Sequence, residues 1–370
     1  MQKIAALVGI LGVVGVAFAT EARVDGMGGP YQYMLDDEAL IINGNPAWLY
    51  AFTGRSVLEC NTQSVLNEGN AYGGVLFNWG SFGVATYLNE PIYYYPTLDT
   101  IEMEAEAHGF TFVLGSTGEG MKWATRIGLA MNQYGDTGYT VKGTGIDFAP
   151  GIVMPMGEAT LDAMLDVKAG LHSDNSMGED LTLEPISPLD EISLGIRYIG
   201  AGTFKWIFGG GFYMTDYGTK RDTFETIDKT MGGGAFMGFN VNPTDNSLVV
   251  GGLNLGGYQW KTNDDASIMS TSVSAVLGGE ASLNEWFTLR AGLSNGLFSM
   301  YQDKMDTSNT YKWMGGSGLG VYLGTGVGRG PVRFDATVSE DLLYNGPYFV
   351  TGETSGLVGK LSLLYKFRTE

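Results

Sequence analysis

The chain has 370 residues, 57 of them glycine. Its charged residues make up 16%, against about a quarter in ordinary soluble domains. A net charge of −19 argues against a nucleic-acid partner, which needs basic surface, and two histidines with one cysteine are too few to build a structural zinc site or an internal disulfide.

Met1-Gln2-Lys3 is a short positive start, Ile4 to Val16 is apolar, and Ala17-Phe18-Ala19 has the small-x-small form of a cleavage site. Residues 1–19 read as a secretory signal peptide, because the apolar run is shorter than the roughly 20 residues a membrane span needs. Cleavage after Ala19 removes one lysine and no acid, taking the net charge from −19 to −20. No later stretch holds 18 consecutive apolar residues, so the expected mature chain is exported without a transmembrane helix.

Residues 20–54 do not alternate. They contain Gly26-Met27-Gly28-Gly29, then Asp36-Asp37, then Asn45-Pro46-Ala47-Trp48-Leu49. Asp36 and Asp37 suit the start of a short helix, where acids meet the positive end of the dipole, and Asn45-Pro46 breaks it.

From residue 55 onward the dominant signal has a period of two, which places successive side chains on opposite faces of a strand. Eight segments alternate cleanly. Lys122–Asn132 sets Trp123, Ile127 and Leu129 against Ala124, Arg126 and Gly128, and Leu161–His172 sets Leu161, Leu165 and Val167 against Asp162, Asp166 and Lys168. Residues 192–198, 204–212, 269–283, 287–293 and 332–338 follow the same rule, with Arg197, Lys205, Arg290, Arg333 and Asp335 among their polar positions. In Leu357–Phe367, Leu361, Leu363, Tyr365 and Phe367 share one face while Lys360 and Lys366 share the other. Eight further strands read less cleanly, near 55–63, 71–79, 81–88, 105–115, 146–153, 233–241, 248–260 and 316–324. Fourteen strands are expected from these candidates (range 12–16), with the weakest merging into a loop or plug and an even number as single-chain barrels require. Cys60 is expected in or near the first strand.

Turn chemistry separates the strands at Asn89-Glu90-Pro91, Gly118-Glu119-Gly120, Asn242 to Asn246 and Tyr344 to Pro347. The acidic stretches Ser173–Glu191, Asp216–Lys229 and Gln302–Lys312 read as outer loops, where acids solvate an otherwise greasy cylinder. Trp79, Tyr93 to Tyr95, Trp123, Trp260, Trp286 and Trp313 fall near strand ends, the depth at which amphipathic rings meet a bilayer surface. Strands of about ten residues and sparse charge favour a closed antiparallel transmembrane β-barrel over a soluble sandwich.

The expected fold is therefore all-β: a plug or hatch segment at 20–54 and a barrel at 55–370. Arg126, Asp162, Asp166, Lys168, Arg197, Arg290, Arg333, Asp335 and Lys360 are the expected lumen-facing charges, and their mixed signs favour a salt-bridged interior over a strongly ion-selective pore. A catalytic His108 or His172 would need a nucleophile and an orienter within hydrogen-bond reach, which spacing cannot show, so both read as polar lumen lining or loop positions, and Gly209-Gly210-Gly211 and Gly324-x-Gly326-x-Gly328 do not match a phosphate loop followed by a helix. The expectation is a protein that is not an enzyme and carries no cofactor or metal.

The order Gly26, Gly28, Gly29, then Asp36, Asp37, Ala39, then Asn45, Pro46, Ala47, Leu49 resembles the N-terminal signature of the FadL/PorV-type outer-membrane barrels, which include long-chain fatty-acid transporters and a secretion-associated barrel. The resemblance covers under a tenth of the chain. It implies that Asp36, Asp37, Asn45, Pro46 and Ala47 belong to a plug, and that the barrel passively transports hydrophobic or amphipathic small molecules. The alternative is a non-transporting surface or secretion-associated scaffold for other proteins. The implied location is the outer membrane of a Gram-negative-type bacterium. The implied partners are membrane lipid, lipopolysaccharide, a hydrophobic ligand, and surface or secretion proteins.

Overall fold

The structure, a computed structural model, describes Arg23, Met27 and residues 44–51, 55–61, 71–79, 81–94, 97–98, 101–102, 105–117, 120–136, 139–176, 179–181, 184–185, 189–216, 219–221, 224–226, 228–262, 266–306, 309–316, 318–338 and 358–366. Sixteen strands form one antiparallel wall: β1 (Arg55–Asn61), β2 (Ala71–Trp79), β3 (Phe82–Tyr94), β4 (Ala105–Thr117), β5 (Lys122–Asp136), β6 (Tyr139–Met156), β7 (Ala159–Ser176), β8 (Glu191–Ile199), β9 (Phe204–Asp216), β10 (Asp228–Val241), β11 (Ser247–Thr262), β12 (Ser267–Ser282), β13 (Phe287–Asp306), β14 (in two segments, Asn309–Gly315 and Leu319–Arg329), β15 (Val332–Val338) and β16 (Val358–Lys366). From β2 to β16 each strand pairs with the next in sequence. The last then pairs with β1, with Arg55 opposite Lys366 and Asn61 opposite Lys360. β1 and β2 come within 8 Å at their Cα atoms, yet no ladder joins them among the described residues. The sheet thus curls until its edges lie side by side, one seam short of hydrogen-bonded closure.

All sixteen segments read from the sequence are wall strands, so the expected count of 14 is corrected to 16. Some of the less regular candidates are glycine-rich stretches of ordinary wall strands, such as Gly232-Gly233-Gly234 in β10 and Gly256-Gly257 in β11, where glycine blurs the alternation. Asn89-Glu90-Pro91 is also corrected: it lies within β3, where the register against β4 shifts between Leu88 and Glu90. A bulge tolerates the proline that a regular ladder would exclude. The Gln302–Lys312 stretch is mostly strand, β13 running to Asp306 and β14 resuming at Asn309.

The two ends of the wall differ. At one end, tight connections such as 157–158, 200–203, 242–246 and 330–331 join the strands. Gly157, Gly202 and Gly330 take positive φ there (68°, 93° and 64°), a conformation that side chains disfavour. At the other end lie the acidic stretches, with a hairpin extension at Glu179–Leu181 and short pairings among 184–185, 219–221 and 224–226.

The faces are inverted relative to a soluble protein. Trp206, Leu253, Leu255, Ile146 and Phe334 are exposed at 43–53% of their full area, whereas Arg290 (3%), Asp335 (1%) and Asp162 (5%) are buried. Along β8 exposure alternates residue by residue, with Ile192, Leu194, Ile196 and Tyr198 on the open face. No described helix is long and apolar enough to cross a membrane.

Candidate functional site

On the enclosed face, charged side chains meet in clusters across adjacent strands. The Arg126 guanidinium on β5 bonds Asp147 on β6 (2.7 Å) and Asp166 on β7 (3.0 Å), all three buried. Arg197 on β8 donates Nε (2.9 Å) and Nη2 (2.7 Å) to Asp162 on β7. Lys168 pairs with Glu191 (2.9 Å). Arg290 on β13 reaches Glu280 on β12 (3.1 Å) and Asp335 on β15 (2.5 Å), and Asp335 also accepts from Arg333 (3.2 Å). Eight of the nine expected lumen charges thus sit in ion-paired clusters on one face. The side chain of Lys360 lies outside the described residues, as do those of His108, His172 and Cys60, although Cys60 falls within β1 as expected.

The N-terminal segment docks on this same face. A short 3-10 helix, Pro46–Ala51, follows Asn45. Asn45 Nδ2 donates to the carbonyls of Ile152 (2.8 Å) and Ala163 (3.0 Å), and its Oδ1 accepts from the Ala47 amide (2.9 Å). Gly151 is required beneath it, because a Cβ there would run into the Asn45 amide. Trp48 Nε1 donates to Asp162 (2.8 Å) and its ring faces the Arg197 guanidinium, 5.1 Å from the centroid, a cation–π distance. Ala47 and Leu49 are fully buried against Leu76, Ala85, Tyr87, Val113, Ala124 and Val153. Further along, Arg23 forms a double hydrogen bond with Glu280 (2.5 and 3.1 Å), and Met27 is buried beside Val250. Of the expected plug residues, Asn45, Pro46 and Ala47 are in place here and buried, while Asp36 and Asp37 lie outside the described residues.

Trp48, Arg23, Asp147 and Glu280 complete these clusters without having been singled out as site residues. Asp147 and Glu280 alternate with apolar neighbours as the expected lumen charges do, which is the signal that could have found them. Trp48 and Arg23 precede the wall and carry no such signal.

Cross-strand register also aligns enclosed-face residues into rows perpendicular to the strands. One row runs Ser193, Tyr213, Gly232, Tyr258, Ser270, Tyr301 and Trp313, from β8 to β14. The next runs Gly195, Gly211, Gly234, Gly256, Ser272, Ser299 and Gly315 over the same seven strands. These rows appear only when the registers are known, and nothing local in the sequence marks them.

No family model and no curated protein matches the chain. Among solved structures it is similar to a loop-deletion form of OmpT, an outer membrane protein of Vibrio cholerae, at 10% identity and a TM-score of 0.37, over 79% of this chain and 99% of that one. In-vitro folded OmpT gives 10% identity and a TM-score of 0.34, over 80% and 97%.

Proposed function

We propose that this chain is an outer-membrane β-barrel of a Gram-negative-type bacterium, that its N-terminal segment plugs the interior, and that small amphipathic molecules pass through it without an energy source. The observation that carries this is the inversion of faces. A wall that exposes Trp206 and Leu253 while enclosing Arg290 and Asp335 is stable where the surroundings are hydrocarbon and the interior is polar. The docking of Asn45 and Trp48 on the enclosed face supports the plug. The polar clusters favour amphipathic over purely hydrophobic solutes.

Proteoliposome flux of a small neutral solute tests the proposal. Native protein is expected to pass it slowly, and removal of residues 20–47 or Trp48→Ala is expected to raise the rate several-fold. No flux from either form would overturn it.

A non-transporting scaffold for surface proteins is favoured by one observation, the ion pairs and docked segment that fill the enclosed face. Stable co-purification of partner proteins, together with absent flux, would support that reading.

A further inference from the structure

We propose that the row Tyr213, Tyr258, Tyr301 and Trp313 is a binding rail for a neutral oligosaccharide. The proposal rests on the reading of this face as a barrel interior and narrows the solute to a saccharide chain. Adjacent strands lie about 4.8 Å apart, so the three tyrosines, on alternate strands, are spaced at roughly 10 Å, with only Gly232 and Ser270 between them. Small neighbours let the rings lie over the wall. A Cβ at Gly232 would stand 2.5 Å from Tyr213 Cζ, and one at Gly315 would stand 2.6 Å from Trp313 Cζ2. Tyr258 (38%) and Trp313 (55%) remain exposed.

Beside the rail runs the glycine and serine row, a trough of small residues that extends about 24 Å across six strands, from β8 to β13, before the Trp313 indole covers Gly315. The atoms nearest to a Cβ at Gly211 or Gly234 would be backbone, and one at Gly195 would meet nothing within 4 Å.

The chemistry of the two rows selects the ligand. A pyranose offers an apolar C–H face to an aromatic ring and hydroxyls to serine, tyrosine and peptide oxygens around it. An acyl chain needs a continuous apolar trough, which Ser270, Ser272 and Ser299 interrupt. At the Ser193 end of the row, Arg126, Lys168 and Arg197 are paired with Asp166, Glu191 and Asp162. Asp303 lies beside Tyr301, whose hydroxyl donates to it at 3.5 Å. An anionic chain therefore gains nothing here, and a neutral one avoids repulsion.

The test is titration calorimetry on the folded full-length barrel in detergent, with maltohexaose and cellohexaose as neutral probes, dextran sulfate as the anionic probe and oleate as the lipid probe. Saturable binding of a neutral hexaose is expected, weakened about fivefold to tenfold by Tyr258→Ala or Tyr301→Ala, as the loss of one stacked ring predicts. Tyr258→Phe and Tyr301→Phe should retain binding to within about threefold, since the ring face remains. Heat-modifiable gel mobility verifies folding of each variant. Binding of neither hexaose, unchanged binding in both alanine variants, or binding of oleate or dextran sulfate in preference would overturn the rail. Flux without hexaose binding sinks the rail and leaves the transport reading intact. Hexaose binding without flux does the reverse.

Discussion

Asp162 receives three N–H groups on a single oxygen: both donors of Arg197 and the indole of Trp48. Removing the cation alone leaves a buried carboxylate with one neutral donor, which costs far more than the net value of the pair. Arg197→Ala is expected to lower unfolding stability by about 3 kcal/mol in urea titrations of lipid-refolded protein, and Arg197→Met with Asp162→Leu together by less. Asp190 lies at the entry to β8. Burial, and then the charges of Asp216 and Glu191 beside it, push its carboxyl up to about 6. The unfolded chain releases that proton near pH 3.9, so the folded state binds more protons between about 4 and 6 and loses stability as pH rises through that window. Asp190→Asn should flatten that slope in heat-modifiability midpoints measured from pH 4 to 7.5. An unchanged slope would show that the group is solvated. Arg126, Asp166 and Asp335 could be placed from sequence because each alternates with apolar neighbours. The Trp48–Asp162 contact could not, because its partners lie 114 positions apart and only the docked segment brings them together.

Strands were recognisable wherever large residues fill the alternate positions. β9, with Phe204, Trp206, Phe208 and Phe212 on its open face, announces itself. β10 and β11 do not, since glycine occupies both faces at 232–234 and 256–257, and a period of two needs side chains to be visible. That is why the strand count fell short although every strand had been located. The bulge in β3 was missed for a related reason: Asn-Glu-Pro has the composition of a turn, and only its pairing with β4 shows that the chain continues through it. The facing assignment also fixes the response to charge. Leu255→Arg on the open face of β11 should cost about 2–4 kcal/mol in lipid. Asn254→Arg, one residue away on the enclosed face, should cost much less. Equal penalties at the two positions would contradict the inversion of faces.

Taken whole, the described wall is a meander from β2 to β16 whose last strand pairs with β1, so most of its ladders join strands adjacent in sequence. Besides the ladder of β1 with β16, Arg23, Asn45 and Trp48 reach distant strands, Asn45 bonding β6 and β7, Trp48 bonding β7 and Arg23 bonding β12. These bonds tie β6, β7 and β12 to one stretch of chain, so under the proposed plug role the flux of the shortened form in proteoliposomes would report on bracing and obstruction together. The surface that Asn45 and Trp48 grip was not readable from their own stretch of sequence, because its donors and acceptors come from strands more than a hundred positions away. The unequal ends of the wall carry a last implication. β13 has 20 residues, which at about 3.3 Å each and a tilt near 45° rise some 47 Å, well beyond an apolar band of about 25 Å. Were the wall set in a bilayer, its surplus height would stand as a collar clear of the hydrocarbon, and a solute would meet that rim before it met any lipid.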